Sequence, residues 1–190
     1  MTTPQIKAMV EVHEFMTSQQ IPYMIIGGMA LQYWGEPRFT RDVDITILIP
    51  WKQEKKLLEK ICSTFLPRMT GALEFAVQHR VCLVKSSEGC DIDISMGIPG
   101  YEESAMERAV DFPVGRDQFI KICSAEDLII HKAVAGRPQD EADIESIVIR
   151  QGKKLDVRYI RQWLRQFSSL LETEEVLERF ERYWETLNDA

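Results

Sequence analysis

Two segments of this chain alternate aspartates with aliphatic residues, and this pattern constrains the fold more than any other feature. Residues 42–49 have the sequence Asp-Val-Asp-Ile-Thr-Ile-Leu-Ile, and residues 90–96 have the sequence Cys-Asp-Ile-Asp-Ile-Ser-Met. Alternation with a period of two predicts β-strands, in which residues two apart point to the same face of a sheet. Each strand is therefore expected to present two carboxylates on one face and aliphatic side chains on the other.

Shorter patterns predict a mixture of helices and strands over the rest of the first 122 residues. Apolar residues at helical spacing indicate helices, whereas β-branched or apolar runs bounded by turn residues indicate strands. The predicted helices cover residues 4–19, 29–34, 51–65 and 101–110. The predicted strands cover residues 23–26, 42–49, 73–77, 79–85, 90–96, 111–114 and 119–122, with hairpin turns at 86–89 and 115–117.

The pattern becomes helical from Ser124 to the end of the chain. Ser124 followed by Asp127 indicates an N-cap with an acidic residue in the first helical turn. Four helices are predicted, at residues 124–135, 139–150, 156–170 and 173–187. We therefore predict an α+β protein with an α/β core over residues 1–122 and a helical C-terminal region over residues 123–190 that packs on this core.

Composition excludes several classes of protein. The 190 residues are 45% hydrophobic and 28% charged, which is ordinary for a globular chain. A formal net charge of −7 argues against a protein that coats nucleic acid with a basic surface. The longest uncharged run, residues 16–35, contains Pro, Gln and Gly and is not expected to span a membrane. Four cysteines without C-x-x-C spacing predict reduced thiols in a cytoplasmic protein.

A glycine pair, Gly27-Gly28, separates a predicted strand from a predicted helix. Glycine allows a positive φ and a close approach of the backbone to a ligand. The amides at the start of the following helix favour anions. The pair therefore indicates either a phosphate-binding turn or a plain tight turn.

The paired aspartates indicate a metal site. Asp42 and Asp44 are expected side by side on one strand face, where a divalent cation would relieve the repulsion between their carboxylates. One of Asp91 and Asp93 is a candidate for a third carboxylate ligand. The alternatives are a solvated strand edge for the first pair and a surface hairpin strand for the second.

Together these features resemble the nucleotidyltransferase superfamily of DNA polymerase beta. A strand ends at Gly27-Gly28, the Asp-x-Asp strand begins fourteen residues later at Asp42, and Ile92-Asp93-Ile94 follows about fifty residues further on. More narrowly, the chain is similar to the bacterial branch that includes AbiEii-type toxins of toxin–antitoxin systems. In that branch an arginine and a threonine precede the acid pair, and a lysine-bearing helix followed by acids lies downstream. The matching residues here are Arg38, Thr40, Arg41, Lys132, Asp140 and Asp143.

The resemblance implies a nucleotidyltransferase fold, with a mixed β-sheet flanked by helices and a helical C-terminal half. It also implies that Asp42, Asp44 and Asp93 hold Mg²⁺ or Mn²⁺, and that Asp93 is the base for the attacking hydroxyl. The residues implied to contact the nucleoside triphosphate are Gly27, Gly28, Arg41 and Lys132, with support from Arg38, Thr40, Asp140 and Asp143. Asp140 and Asp143 would orient Lys132 or an arginine, and the alternative for both is helix capping.

The activity implied by the resemblance is transfer of a nucleoside monophosphate from a nucleoside triphosphate to a hydroxyl group. The acceptor is left open between RNA, protein and a small molecule, and an antitoxin is an implied partner. The alternative is a non-catalytic nucleotide-binding or protein-interaction module on the same fold. Arg158, Arg161 and Arg165 share one face of a predicted helix, which indicates contact with RNA, triphosphate or an acidic protein, or simply a solvated face.

Overall fold

The computed structural model describes residues 3–49, 53–115 and 118–188. The start of the predicted 51–65 helix and two residues of the predicted 115–117 turn lie outside the described residues. The chain divides into two compact units. The first contains residues 1–29 and 39–123, and the second contains residues 30–38 and 124–190.

The first unit holds every strand that the structure describes, together with helices. The strands are β1 (Tyr23–Ile25), β2 (Asp42–Ile47), β3 (Leu66–Pro67), β4 (Val81–Lys85), β5 (Asp91–Met96), β6 (Val110–Pro113) and β7 (Phe119–Ile122). The helices are α1 (Pro4–Ser18), the start of α2 (Gly27–Trp34), α3 (Glu54–Thr64), α4 (Ala72–His79) and α5 (Tyr101–Glu107). The strands form one mixed sheet in the order β3-β4-β5-β2-β1-β7-β6.

The centre of the sheet confirms the alternation seen in the sequence. Strand β2 pairs with β5 in parallel and with β1 in antiparallel orientation, and β4 and β5 form an antiparallel hairpin. The aliphatic residues Val43, Ile45, Ile92 and Ile94 are fully buried. Burial of these residues fixes the register, because a slip by one residue would move every aliphatic side chain to the opposite face.

The second unit contains most of α2 and the C-terminal helices. These are α6 (Ala125–Ala135), α7 (Pro138–Gln151), α8 (Val157–Leu171) and α9 (Glu175–Asn188). The predicted N-cap of α6 is confirmed, since the backbone N–H of Asp127 donates to Ser124 Oγ at 3.0 Å. Helix α6 packs against α7, α8 and α9. Among the described helices, none is both long enough and apolar enough to cross a membrane.

The strand predicted at residues 73–77 is wrong, because these residues belong to helix α4. Ala72 and Ala76 are its buried residues, and their spacing of four is that of a helix face. Val77, which a buried strand would have covered, is exposed. Two positive-φ residues, Gly71 and Arg80, flank the helix and separate it from the adjacent strands.

Candidate active site

Four aspartates of two adjacent strands lie on one face of the sheet. In the parallel pair of β2 and β5, Asp42 is the register partner of Asp91, and Asp44 is the register partner of Asp93. Register partners project to the same face, with neighbouring strands about 5 Å apart. All four side chains are half-buried. We call this set, Asp42, Asp44, Asp91 and Asp93, the acid face.

Asp91 has a cation directly opposite it on the third strand. Strand β4 pairs with β5 so that Lys85 is the register partner of Asp91. The Lys85 ammonium donates a hydrogen bond to the Asp91 carboxylate. This hydrogen bond is the main cause that lowers the pKa of Asp91. The negative charge of Asp91 is therefore balanced within the sheet itself.

The residue opposite Asp93 on β4 is the apolar Leu83. The ion-pair partner of Asp93 is Arg68, which follows β3 on the far side of β4. The Arg68 guanidinium donates to Asp93 Oδ1, and its Nη2 lies 3.6 Å from Asp91 Oδ2. Burial raises the pKa of Asp93, and the favourable charge and hydrogen bond of Arg68 do not overcome this effect. Asp93 is therefore the carboxylate of this pair that binds a proton more readily.

The glycine pair leaves space for side chains of the Asp-x-Asp segment. Gly27 has φ +62°, and a β-carbon at this position would overlap the Asp44 carboxylate. A β-carbon at Gly28 would lie 2.7 Å from Thr40 Oγ1. The turn therefore requires glycine at both positions even without a ligand. Gly27 leaves room for the Asp44 side chain, and Gly28 leaves room for the Thr40 side chain.

Thr40 orients one carboxylate of the acid face. Its hydroxyl donates to Asp42 Oδ1 at 2.9 Å, while its own carbonyl accepts from Gln5 Nε2 at 3.1 Å. Thr40 is buried, whereas Arg41, which follows it, is exposed. The structure therefore brings Gly27, Gly28 and Thr40 together with the acid face in the first unit.

Lys132 lies in a buried ion-pair cluster of the second unit. Its ammonium is 2.8 Å from Asp140 Oδ1 and 2.7 Å from Asp143 Oδ2. All three side chains are at most 4% exposed. In this arrangement both carboxylates surround the ammonium, so a phosphate could reach Lys132 only after the cluster has rearranged.

Two arginines complete this cluster. Arg38 donates to both carboxylate oxygens of Asp143 at 2.9 Å, and Arg137 donates to Asp140. Burial alone would raise the pKa of Asp140 and Asp143, but the hydrogen bonds and charges of the arginines and Lys132 lower both. Asp140 also accepts from the backbone N–H of Arg137 at the start of α7. Asp140 therefore makes an ion pair with Lys132 and also caps α7, while its role in orienting Lys132 for a phosphate stays a prediction.

The arginines of α8 do not form one continuous positive face. Arg161 donates to both carboxylate oxygens of Glu181 at 2.7 and 2.8 Å, and this ion pair links α8 to α9. Arg158 and Arg165 are exposed. The predicted helix is confirmed as α8, but spacing within one helix carries no information on a neutralising partner from another helix.

Two cations of the site, Arg68 and Lys85, were not identified in the sequence. Lys85 could have been found, because the predicted hairpin turn at residues 86–89 places it near Asp91 on the partner strand. Arg68 carries no local signal. It follows the two-residue strand β3, and its proximity to Asp93 arises only from the order of the strands.

The donor chemistry of the acid face fits a hard divalent cation. Asp42, Asp44 and Asp93 offer carboxylate oxygens from adjacent strands, which Mg²⁺ prefers as ligands. The space at Gly27 that would otherwise hold a β-carbon contains the Asp44 carboxylate. Within residues 3–49, 53–115 and 118–188, no group of three or more His, Cys, Asp or Glu side chains is already arranged to hold a metal ion.

Solved structures share the fold of this chain. One is the crystal structure of an antigenic nucleotidyltransferase-like protein from Paracoccidioides brasiliensis, with 14% identity and a TM-score of 0.54 over 95% of this chain and 94% of that chain. Another is the solution structure of the antibiotic-resistance factor ANT(2'')-Ia, with 16% identity and a TM-score of 0.54 over 90% of this chain and 97% of that chain. These similarities confirm the predicted nucleotidyltransferase fold.

The sequence comparison gives the family. No curated protein matches the chain. Residues 20–144 match the family described as nucleotidyl transferase AbiEii toxin, type IV toxin–antitoxin system. This segment includes the glycine pair, the acid face and the Lys132 cluster, and it makes up more than half of the chain. The protein therefore belongs to the AbiEii family of nucleotidyltransferase toxins.

Proposed function

We propose that this protein transfers a nucleoside monophosphate from a nucleoside triphosphate to a hydroxyl group of an acceptor, using Mg²⁺. The observation that carries this proposal is the register of Asp44 with Asp93 beside Gly27. Asp42, Asp44 and Asp93 would hold the metal, which would stabilise the attacking and leaving oxygens of the transfer. Mn²⁺ is expected to bind the same oxygen ligands.

Asp93 is the proposed general base. Asp93 is preferred to Asp91 because it is the register partner of Asp44, whereas the Asp91 carboxylate is held by Lys85. The proton of the acceptor hydroxyl passes to Asp93 while the hydroxyl oxygen forms a bond to the α-phosphorus. The bond from this phosphorus to the oxygen that bridges to the β-phosphorus breaks, and pyrophosphate leaves.

Other residues of the first unit position these groups. Thr40 holds Asp42 by its hydrogen bond, and the absence of a side chain at Gly27 admits Asp44. The backbone amides of Gly27 and Gly28, at the start of α2, are proposed to donate to phosphate oxygens. Arg41 is also proposed to contact the triphosphate. Lys132 is proposed to contact it only after the ion-pair cluster with Asp140 and Asp143 has rearranged, with Arg38, Asp140 and Asp143 in a supporting role.

The acceptor and the biological setting are also part of the proposal. The family description supports a role as a toxin with an antitoxin partner. Action in the cytoplasm is part of the proposal. RNA, protein and small molecules are the candidate acceptors. One protein of the same fold is an antibiotic-resistance factor, and this favours retaining small molecules among the candidates.

Incubation with each α-labelled nucleoside triphosphate, Mg²⁺ and either total RNA or a cell lysate tests the activity. We expect labelled product from the wild type and none from Asp42→Ala or Asp44→Ala. Asp111→Ala is the matched control, because Asp111 pairs with Lys121 at the surface of β6 and is far from the acid face in strand order. The absence of any product, together with no nucleotide or metal binding by calorimetry, would contradict the proposal.

A non-catalytic module that binds nucleotide is the second candidate. The contact of Arg68 with Asp93 favours it, because this contact occupies a carboxylate that catalysis requires. Calorimetry with a triphosphate and the labelled-transfer assay separate the two candidates. Nucleotide binding that survives Asp44→Ala, with no turnover by the wild type, would favour the module.

A further inference from the structure

Arg68 reaches the acid face from outside the strands that form it. Its backbone N–H donates to Leu83 O at 3.1 Å, just beyond β3, so Arg68 lies beside Leu83 on β4. Leu83 in turn is the register partner of Asp93 on β5. Since Arg68, Leu83, Asp93 and Asp44 lie in one row across the sheet, the Arg68 side chain must extend across β4 to reach Asp93.

Lys85 and Arg68 differ in how the fold holds them. Lys85 belongs to a strand and is directly opposite its partner Asp91. Arg68 belongs to the turn between β3 and α4, and its side chain is 28% exposed. The difference is one of reach: the Lys85 ammonium is directly opposite Asp91, whereas the Arg68 guanidinium must span β4 to contact Asp93. The Arg68–Asp93 pair is also partly exposed, and an ion pair of this kind contributes little to stability.

A guanidinium and a divalent cation compete for the same carboxylate oxygens of Asp93. We propose that Arg68 is a binding residue for the triphosphate that pairs with Asp93 while no metal is bound. When a divalent cation binds the acid face together with a triphosphate, Arg68 exchanges Asp93 for phosphate oxygens of the triphosphate. This inference rests on the proposed function, because it assumes that the acid face binds both ligands.

The chemistry of arginine supports this exchange of partners. A guanidinium binds carboxylate and phosphate with the same planar pair of N–H donors, so both anions suit it. A triphosphate bound with metal at the acid face would bring negative charge close to the displaced side chain. Exchange would also keep the Arg68 charge compensated in both states, which limits its electrostatic cost.

The exchange predicts opposite effects of one substitution on two ligands. Arg68→Gln is expected to bind Mn²⁺ alone about threefold more tightly than the wild type, because a competitor of modest strength is removed. It is expected to bind inorganic triphosphate in saturating Mn²⁺ about fivefold more weakly, because a charged phosphate contact is lost. Calorimetry measures both affinities without requiring turnover. Arg68→Lys, which keeps the charge, is expected to shift both affinities in the same directions by less.

Lys85→Gln is the matched control. It also removes one positive charge that pairs with an aspartate of the acid face, but this aspartate is Asp91 and not Asp93. We expect it to change the affinity for triphosphate less than Arg68→Gln does. An unchanged Mn²⁺ affinity in Arg68→Gln, or equal shifts in Lys85→Gln, would overturn the inference and leave the proposed function intact. Weaker binding of both ligands would show that Arg68 has only a structural role and would also overturn it. If neither wild type nor variant binds Mn²⁺, both the inference and the proposed function fail.

Discussion

The carboxylate of Asp44 occupies the space that the β-carbon of any larger residue at position 27 would need. This relationship joins the turn after β1 to the second aspartate of β2. Since Asp44 is also the register partner of Asp93, the position of Gly27 affects the whole row of carboxylates. The turn and the acid face are therefore expected to respond together to substitution.

Gly27→Ala is expected to lower the free energy of unfolding by about 3 kcal/mol, because positive φ and overlap with Asp44 act together. Gly89 has φ +78° but no neighbour within 4 Å of a β-carbon. Gly89→Ala therefore has only the cost of the backbone conformation, about 1 kcal/mol. Urea unfolding measures both. Equal losses in the two variants would show that Asp44 does not restrict position 27.

Thr40→Val is expected to weaken Mn²⁺ binding about tenfold, because Asp42 loses the hydroxyl that orients it. Thr40→Ser keeps the hydroxyl and is expected to bind Mn²⁺ nearly as the wild type does. Calorimetric titration of the three proteins measures this difference. If Thr40→Ser loses as much affinity as Thr40→Val, keeping the hydroxyl does not preserve binding, and the hydrogen bond to Asp42 is not the reason that Thr40 matters.

Lys132→Met is expected to lower the free energy of unfolding by about 3 kcal/mol, because it leaves two buried carboxylates without their shared ammonium. Lys121→Met removes a lysine from an exposed ion pair with Asp111 and is expected to cost less than about 1 kcal/mol. Urea unfolding at pH 7 compares the two. Similar small losses would mean that Lys132 is not needed to hold the cluster together.

His131 makes stability depend on pH below neutrality. Burial of the His131 imidazole, and to a smaller extent the charge of Lys132, lowers the pKa of this α6 residue to about 4. In the unfolded chain the pKa is about 6.5, so between pH 6.5 and 4 the unfolded state binds a proton that the folded state does not. The contribution of His131 to stability is therefore complete above pH 6.5 and is lost as the pH falls toward 4.

We expect the free energy of unfolding of the wild type to fall by about 2 kcal/mol more than that of His131→Asn between pH 7.5 and pH 5. His79→Asn is the control, because His79 is exposed at the end of α4. Urea unfolding at the two pH values measures these differences. If the free energy of unfolding falls equally in the wild type and in His131→Asn, then His131 titrates normally in the folded protein.

The sequence predicted the strands of the acid face because alternation is a local property. Residues 42–49 and 90–96 each identify a strand and the face of its aspartates without reference to any other part of the chain. Their register is not local, since it depends on how strands about fifty residues apart are paired. The pairing of Asp44 with Asp93 and that of Arg161 with Glu181 therefore required the structure, whereas the pairing of Asp91 with Lys85 follows from the local hairpin.

Two further differences between the sequence prediction and the structure concern residues 73–77 and the glycine pair. Residues 73–77 combine apolar side chains in a way that also suits a strand, and only the burial of Ala72 and Ala76 shows the helical face. The glycine pair indicates either a phosphate-binding turn or a plain tight turn. The structure adds a third reason for glycine at these positions, which is the close approach of the Asp44 and Thr40 side chains. The roles of Asp42, Asp44 and Asp93 as metal ligands stay predictions.

Titration of the acid-face variants with Mn²⁺ tests the central claim most directly. The wild type is expected to bind Mn²⁺, whereas Asp44→Asn and Asp93→Asn are expected to lose this binding. Asp91→Asn is expected to retain it, because Asp91 is already paired with Lys85. Loss of binding in Asp91→Asn with retention in Asp93→Asn, or equal binding by all four proteins, would contradict the assignment of Asp44 and Asp93 as the carboxylates that hold the metal.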